Sequence, residues 1–260
     1  RIIEHYVNKD LERSDLSTVR RIGVDETSSQ KGHKYVSLFV DLDTRKVVFV
    51  TKGKDSSTVQ AFKDHLIKYG GSPERITDFS CDLSPAFING IEDNFPRAHI
   101  TFDKFHVMKL LNNAVDETRR SEQVEEKDLK KTRYIWLKNP ENLTKKQKEK
   151  LQSISSLQLK TGRAYRMKLI FQRIFSAEPV TFDRVEALRK WYGWAIRSRI
   201  DAIVEFAKTL KRHWEGITHW FVSTINNAIL EGLNSLVQAA KTRARGFRSI
   251  EYFKLIIYRV

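Results

Sequence analysis

Cysteine is almost absent from this chain, since Cys81 is the only one among 260 residues. A single thiol excludes an intramolecular disulfide and any zinc finger that is built on cysteines. Such sparing use of cysteine is typical of proteins from a reducing compartment. We therefore expect the protein in the cytoplasm.

Long apolar runs are also absent, and no segment approaches the roughly 18 consecutive apolar residues of a membrane span. The first residues, RIIEHYVNKDLER, lack the order of charged, apolar and small residues that marks a signal peptide. They begin without methionine and in the style of a helix. We interpret the chain as part of a longer protein and expect no association with a membrane.

Acidic residues are in deficit, with 32 Asp and Glu against 47 Lys and Arg and a formal net charge of +15. This excess predicts a polyanionic partner, nucleic acid first and an anionic membrane surface second. The alternative is a basic surface that serves only solubility. The 40% of hydrophobic residues can fill one large domain, or a domain with a large insertion.

Alternating apolar residues predict five strands in the first 102 residues. The predicted strands cover residues 21–24, 35–42, 46–51, 75–81 and 98–102, and helices cover 56–69 and 84–94. The order β-β-β-α-β-α-β indicates an α/β fold, in which strands two and three form a hairpin of a mixed sheet. Right-handed crossovers then place strands one, four and five side by side and parallel.

From residue 107 onward the sequence favours helices, and the region 107–222 carries all five tryptophans. Thr144 is a predicted helix cap within this region. Two further helices are predicted over 223–241 and 249–258. The five-stranded sheet is therefore followed by a large helical insertion and then by the last helices.

Two aspartates follow strands that are predicted to be neighbours, Asp25 after strand one and Asp82 after strand four. Parallel neighbours bring their carboxyl ends to about 4.8 Å from each other, and ligands bind in the crevice outside such strand ends. Two carboxylates there repel each other unless a cation lies between them, and Mg²⁺ prefers oxygen ligands. The alternative is that each aspartate only caps a turn or a helix.

A third acid comes from the predicted helix over 223–241. Its polar residues are spaced four, three and four apart and form one stripe, Asn227, Glu231, Asn234 and Gln238. An apolar stripe is predicted roughly opposite, with Ile225, Ile229, Leu233, Leu236 and Ala240. Glu231 is the candidate acid, and the alternative is a plain amphipathic surface helix.

A dense cationic segment follows this helix. It contains Lys241, Arg243, Arg245 and Arg248. Such a patch beside an acidic site suits contact with DNA phosphates. The alternative is a solvated helix end whose cations complement the helix dipole.

Several long blocks resemble, in order, blocks of bacterial insertion-sequence transposases of the ISL-three family. They include IGVDETSSQKGHKYVSLFVDLDTRKVV, CDLSPAFINGI, TFDKFHVMKLLNNAVDETRR and NNAILEGLNSLVQAAKTRARGFRS. The resemblance runs from about residue 20 to the end of the chain. It implies a DDE transposase with an RNase H-like core, which cuts and joins double-stranded DNA at transposon ends and target. It also implies two Mg²⁺ ions, for which Mn²⁺ can substitute, a homodimer on DNA, and a place near the bacterial nucleoid.

The resemblance assigns the catalytic acids by position. Asp25 matches the first acid, Asp82 the second and Glu231 the third, with Asp25 in contact with both ions. Asp103 and His106 match a pattern of Cys or Asp, two residues, then His, so we interpret them as a supporting pair. Asp103 also competes with Asp82 for the second position, and a buried structural role for His106 stays open. The remaining supporting residues are Glu26, Asn227 and Asn234.

The predicted domains follow from the same comparison. Residues 1–19 are the remnant of a DNA-binding region or linker, 20–106 the first part of the core, 107–222 the insertion and 223–260 the last part of the core. Arg119 and Arg120 of the insertion are predicted to contact DNA. Its tryptophans fill a core or, less simply, stack on a flipped base. Gln238 departs from the family, which usually has lysine there.

Two other functions remain open from the sequence. One is a catalytically silent or domesticated transposase that only binds DNA. The other is an RNase H-like nuclease that cuts without strand transfer. Loss of an acid would favour the first, and all three acids are present.

Overall fold

The computed structural model describes residues 5–7, 9, 13–30, 34–155, 159–176, 183–223, 225, 228–247 and 249–259. The strands are β1 (Arg21–Gln30), β2 (Lys34–Asp41), β3 (Lys46–Lys52), β4 (Asp78–Cys81) and β5 (His99–Phe102). The helices are α1 (Ser57–Lys68), α2 (Pro85–Asn94), α3 (Lys104–Glu122), α4 (Arg133–Leu137), α5 (Lys145–Ser155), α6 (Lys160–Ser176), α7 (Arg184–Ile196), α8 (Asp201–Arg212), α9 (Trp214–Ser223), α10 (Ala228–Arg243) and α11 (Ile250–Ile257).

The five strands form one mixed sheet in the order β3-β2-β1-β4-β5. β1 pairs with β2 and β2 with β3 in antiparallel fashion, whereas β1 with β4 and β4 with β5 are parallel. This arrangement confirms the predicted α/β class, the hairpin, and the parallel group of strands one, four and five. It is the sheet expected of an RNase H-like transposase core.

Strand β1 is longer than the sequence predicted. It continues past Val24 to Gln30, and Asp25 pairs with Leu38 of β2 inside the strand. The prediction that β1 ends before Asp25 was therefore wrong, because the long β2 supplies backbone partners for the polar residues that follow. Pairing with β4 stops at Gly23, opposite Ser80. Asp25 thus lies beyond the parallel pairing although it lies within the strand.

One face of the sheet packs against the last two helices. Val36 and Leu38 of β2 form a buried cluster with Val237 of α10 and with Phe253 and Ile257 of α11. Residues two apart on a strand lie on the same face. The side chains of this face therefore belong to the layer that α10 and α11 cover.

The opposite face packs against α1 and α2 through phenyl rings. Phe62 of α1 stacks on Phe39 of β2 with ring centroids 4.6 Å apart. Phe95 lies 4.8 Å from Phe79 of β4 and 5.8 Å from Phe62. Buried aromatic rings of this kind contribute strongly to a core. The sheet is therefore covered on both faces, as a fold of this class requires.

The chain divides into two compact units, Arg1–Asp103 with Val222–Val260, and Lys104–Phe221. The second unit is helical, and Trp136, Phe171 and Trp191 are buried in it. Thr144 and Gln147 exchange hydrogen bonds at the start of α5, which confirms the predicted cap. Of the helices that are described, none has the length and apolar character for crossing a bilayer. The functional division into four domains stays a prediction.

Candidate active site

Three aspartates lie in one row across neighbouring parallel strands. β4 and β5 are in register with Cys81 opposite Phe102, and β1 and β4 with Gly23 opposite Ser80. Continued by two residues, the β1–β4 register sets Asp25 beside Asp82. Continued by one residue, the β4–β5 register sets Asp82 beside Asp103. The Asp103 N–H donates to the Cys81 carbonyl oxygen at 3.0 Å, which continues that ladder. Neighbouring strands lie about 4.8 Å apart, so the three carboxylates share one edge of the sheet.

The electrostatics of Cys81 support this proximity. The thiol is fully buried on β4. Burial raises its pKa well above the ordinary value, and the negative charges of Asp82, Asp103 and Asp25 raise it further. All three carboxylates are therefore close enough for their charges to act on one buried sulfur atom.

Two of the three predicted acids, Asp25 and Asp82, also accept a local hydrogen bond. The Glu26 N–H donates to Asp25 Oδ1 at 2.7 Å, and the Ser84 N–H donates to Asp82 Oδ1 at 2.9 Å. The second bond forms a turn before α2, whose N-cap residue is Ser84. Asp82 thus supports the start of the helix without being its cap, so the capping alternative holds only in part.

Helix α10 lies along β1 and is joined to it by three side-chain contacts. They are, in order, Asn234 Nδ2 to Asp25 Oδ2 (2.5 Å), Gln238 Nε2 to Thr27 Oγ1 (2.5 Å) and Lys241 Nζ to the Ser28 carbonyl oxygen (2.6 Å). We call this set the helix–strand ladder. It shows that the polar stripe of α10 faces the sheet beside the aspartate row.

The same face of α10 carries its buried apolar residues. Leu230 and Val237 are buried, whereas Leu236 is 53% exposed. The predicted apolar stripe through Leu236 was therefore wrong as a description of the core-facing side. At Gly23 an added Cβ would lie 2.9 Å from Leu230 Cδ1, so the absence of a side chain there lets the helix lie close to β1.

Glu231 belongs to the same stripe, three residues before Asn234, and its side chain is exposed. Within the described part of the chain, no group of three or more His, Cys, Asp or Glu side chains is arranged to hold a metal ion. The strand register makes Asp25, Asp82 and Asp103 neighbours, but in the described residues neither this row nor the row with Glu231 forms such a group.

Glu26 and Asp25 are consecutive in β1, so their side chains point to opposite faces of the sheet. The Glu26 carboxylate lies 3.6 Å from the ammonium of Lys54. The structure does not bring Glu26 together with the aspartate row. Alternation along the strand could have shown this from the sequence, had the strand been predicted to extend through both residues.

Asp103 and His106 belong to different compact units. Asp103 is the last residue before the helical unit, and His106 is the third residue of the helical unit. Asp103 is only 8% exposed, as the last member of the row. His106 is half-buried on α3, with its ring 6.0 Å from that of Phe105 and perpendicular to it. The predicted role of this pair as a support for the site stays a prediction.

The two predicted DNA contacts on α3 differ in exposure. Arg119 is 6% exposed and donates to Asp116 (2.9 Å) and to Gln123 (2.5 Å). Arg120 is exposed, and its guanidinium lies 3.6 Å from the same Asp116. The contacts of Arg119 favour a structural role, whereas Arg120 has the exposure that a DNA contact needs.

The cationic segment after the stripe divides in a similar way. Lys241 is half-buried and belongs to the ladder, whereas Arg243 and Arg245 are exposed. Asn227 and Arg248 lie outside the described residues. The sequence analysis did not identify Thr27 and Ser28 as partners of Gln238 and Lys241. The polar run ETSSQ, which continues the first strand, was a signal for them.

Most of the positive charge belongs to the helical unit. Residues 104–221 contain 26 Lys and Arg against 14 Asp and Glu, which gives +12 of the net +15. The other unit contains 21 Lys and Arg against 18 Asp and Glu, which gives the remaining +3. The charge surplus that predicted a polyanionic partner is thus concentrated in the unit that does not carry the aspartate row.

The sequence profile of the transposase family of DDE type and ISL3 group matches residues 22–257. The chain belongs to the ISL3 family of transposases. It is 29% identical over 251 residues to the transposase for insertion sequence element IS1001 of Bordetella parapertussis, covering 94% of this chain and 61% of that protein. It is also 29% identical over 262 residues to the transposase for insertion sequence element IS1557 of Mycobacterium tuberculosis. That match covers 90% of this chain and 58% of that protein.

The chain therefore spans about three fifths of the length of these transposases. Membership of the family and the α/β sheet agree with the resemblance that the sequence blocks carry. The matched region includes the whole aspartate row and the helix–strand ladder.

Proposed function

We propose that this chain is the catalytic part of a DNA transposase that cuts double-stranded DNA and joins the cut ends to a target. Asp25, Asp82 and Glu231 are its catalytic acids and the ligands of two divalent ions, Mg²⁺ or, as a substitute, Mn²⁺. The observation that supports this most is the register that sets Asp25 beside Asp82 at the edge of the sheet. Family membership supports the same reaction.

The donor chemistry of these residues fits hard divalent cations. Asp25, Asp82 and Glu231 offer only carboxylate oxygens, which Mg²⁺ prefers. The neighbouring carboxylates of the row repel one another in the absence of a cation. The amide of Asn234 donates to Asp25, and donors of this kind orient the ligands of metal sites.

Each acid has a task that follows from its place. Asp25 is central, because it neighbours Asp82 and contacts the stripe that carries Glu231, so it would contact both ions while the other two contact one each. When bound, the ions lower the pKa of an attacking water or DNA 3′-hydroxyl and stabilise the leaving oxygen. In-line displacement needs alignment and charge neutralisation more than acid–base side chains.

The DNA would be held chiefly by the helical unit. Its net charge of +12 suits a polyanionic backbone, and Arg243 and Arg245 add exposed cations beside the ladder. Joining two transposon ends requires two active sites, so two copies of the chain would act together on DNA as a homodimer.

The variants Asp25→Asn, Asp82→Asn and Glu231→Gln test the three acids. Each removes a ligand charge at nearly constant volume, so strand transfer in Mg²⁺ or Mn²⁺ should fall by about a hundredfold or more, with duplex DNA affinity nearly unchanged. The measurement is the joining of a labelled duplex to a supercoiled plasmid, with nicking scored in the same gel. Nicking without joining in the native chain would favour a nuclease instead.

Asp103→Asn is the matched control for the second acid. It lies in the same row as Asp82, one strand further along the sheet, so its loss should reduce the rate less than the loss of Asp82. An active Asp82→Asn beside an inactive Asp103→Asn would show that Asp103 is the second acid.

A further inference from the structure

The helix–strand ladder has the same length on both of its sides. From Asn234 to Lys241 the helix rises about 10.5 Å, at about 1.5 Å per residue. From Asp25 to Ser28 the strand rises about 10 Å, at about 3.3 Å per residue. The three contacts can therefore form together at one axial position of α10, and a displacement by one helical turn, about 5.4 Å, would break all of them.

The contacts also use polar residues that follow Asp25 in the strand. Thr27 is 5% exposed, so its hydroxyl is a buried partner for Gln238. The β1–β2 register shifts between Ser28 and Gln30, and such a bulge leaves backbone groups outside the regular hydrogen bonding between the two strands. Lys241 donates to the Ser28 carbonyl oxygen at that point. These contacts tie α10 to β1 from Asp25 to Ser28.

Glu231 is fixed by the same geometry. It precedes Asn234 by three residues, on the same face of the helix and about 4.5 Å along its axis. Because Asn234 contacts Asp25 directly, any axial shift of α10 moves Glu231 by the same amount relative to the aspartate row. The ladder therefore determines where the candidate third acid lies.

We propose that Asn234, Gln238 and Lys241 are positioning residues that hold α10 at the one axial position in which Glu231 and Asp25 serve the same metal site. This inference rests on the proposed function and deepens it. It assigns Lys241 to the helix–strand contact and leaves phosphate contact to Arg243 and Arg245, which are exposed at the end of the same helix.

Gln238→Ala is the sharpest test, because the side chain is exposed apart from its contact with Thr27 and its loss should leave the fold intact. Mn²⁺ affinity of the purified chain, followed by electron paramagnetic resonance, should fall by about tenfold. Thr27→Val should cause the same loss, and the double variant should lose no more than either single one. Thr27→Ser keeps the hydroxyl and should bind Mn²⁺ as the native chain does.

Lys241→Met and Arg243→Met form a matched pair that separates positioning from DNA contact. Lys241→Met should weaken Mn²⁺ binding and leave duplex DNA affinity unchanged, whereas Arg243→Met should do the opposite. If Lys241→Met instead weakens DNA binding and reduces its salt dependence, Lys241 is a phosphate contact and the inference is wrong.

The two proposals fail in different ways. If the native chain and Asp25→Asn bind Mn²⁺ equally poorly, the metal site itself is refuted. If the native chain binds Mn²⁺, Asp25→Asn does not, and Gln238→Ala binds as tightly as the native chain, the metal site stands and the ladder is not a positioning device.

Discussion

At the scale of single residues, the pairing of strands explains why the two aspartates could be predicted from the sequence. Asp25 and Asp82 follow apolar segments whose parallel pairing determines their neighbours. The backbone register alone therefore sets them side by side, and no knowledge of side-chain packing is needed. Asp103 was predicted only from the family resemblance, and the β4–β5 pairing places it one strand further on.

The role of Lys241 could not be predicted in this way. In the sequence it begins a cationic segment with Arg243 and Arg245, and nothing local distinguishes the three. Only the packing of α10 on β1 turns Lys241 toward the Ser28 carbonyl oxygen and the two arginines toward solvent. Tertiary contacts decide such assignments.

Arg119→Met tests whether this buried arginine is structural. Its guanidinium donates to Asp116 and Gln123 inside the helical unit, so its loss leaves two partly buried acceptors without this donor. The free energy of unfolding should fall by about 1–3 kcal/mol, measured by urea unfolding of the chain. Duplex DNA affinity, measured below the unfolding transition, should stay unchanged.

Arg120→Met is the control, one residue along the same helix and exposed. Its effect on unfolding should stay within about 0.5 kcal/mol, while its DNA affinity and salt slope should decrease if it contacts phosphate. A stable Arg119→Met with weakened DNA binding would restore the role that the sequence suggested for Arg119.

At the scale of elements, the sequence predicts what alternation and turn residues encode, and it misses what a partner strand supplies. β1 continues through ETSSQ because β2 pairs with it as far as Gln30, with one register shift after Ser28. Those residues have none of the apolar alternation of a strand. The sequence predicted the polar stripe of α10, but it did not predict that this stripe lies on the face that packs against the sheet. It faces β1 between Leu230 and Val237 because the strand offers polar partners there.

The last carbonyl groups of the short helix α4 accept hydrogen bonds from a buried lysine of α6, Lys168. This contact depends on pH. Lys168 Nζ donates to the carbonyl oxygens of Trp136 (3.1 Å) and Leu137 (2.7 Å), where a helix leaves its last carbonyls without partners. Burial lowers the pKa of Lys168 to about 8, and Glu141 acts in the opposite direction.

Lys168→Met should lower the free energy of unfolding by about 1–3 kcal/mol, because the carbonyl groups lose their donor. Between pH 8 and pH 10.5 the unfolded chain keeps a proton on Lys168 that the folded chain releases, so this residue's contribution to stability rises with pH in that window. The difference between native chain and variant should therefore grow from pH 8 to pH 10. It is measured by urea unfolding at each pH.

Arg166→Met is the matched control on the same helix, since Arg166 is exposed. Its unfolding free energy should follow that of the native chain across the same pH range. A native-to-Lys168→Met difference that shrinks as the pH rises would contradict the assigned direction of the pKa.

At the scale of the whole molecule, the two compact units divide charge and chemistry between them. The sheet unit carries the aspartate row and the ladder with a net charge of +3, and the helical unit carries +12. The net charge of the whole chain predicted a polyanionic partner, but only the fold shows which part of the chain holds the excess of positive charge. A DNA backbone would be attracted mainly to the unit that does not hold the acids.

Diffraction from crystals of this chain grown with Mn²⁺ is the decisive test of a metal site at Asp25, Asp82 and Glu231, because the anomalous signal locates the ion without any assay of activity. We expect manganese peaks at the edge of the sheet, with Asp25 and Asp82 as ligands and Glu231 of α10 completing the site. Manganese bound away from Asp25 and Asp82, or bound there while Glu231 stays remote from it, would refute the metal site that these three acids are proposed to form.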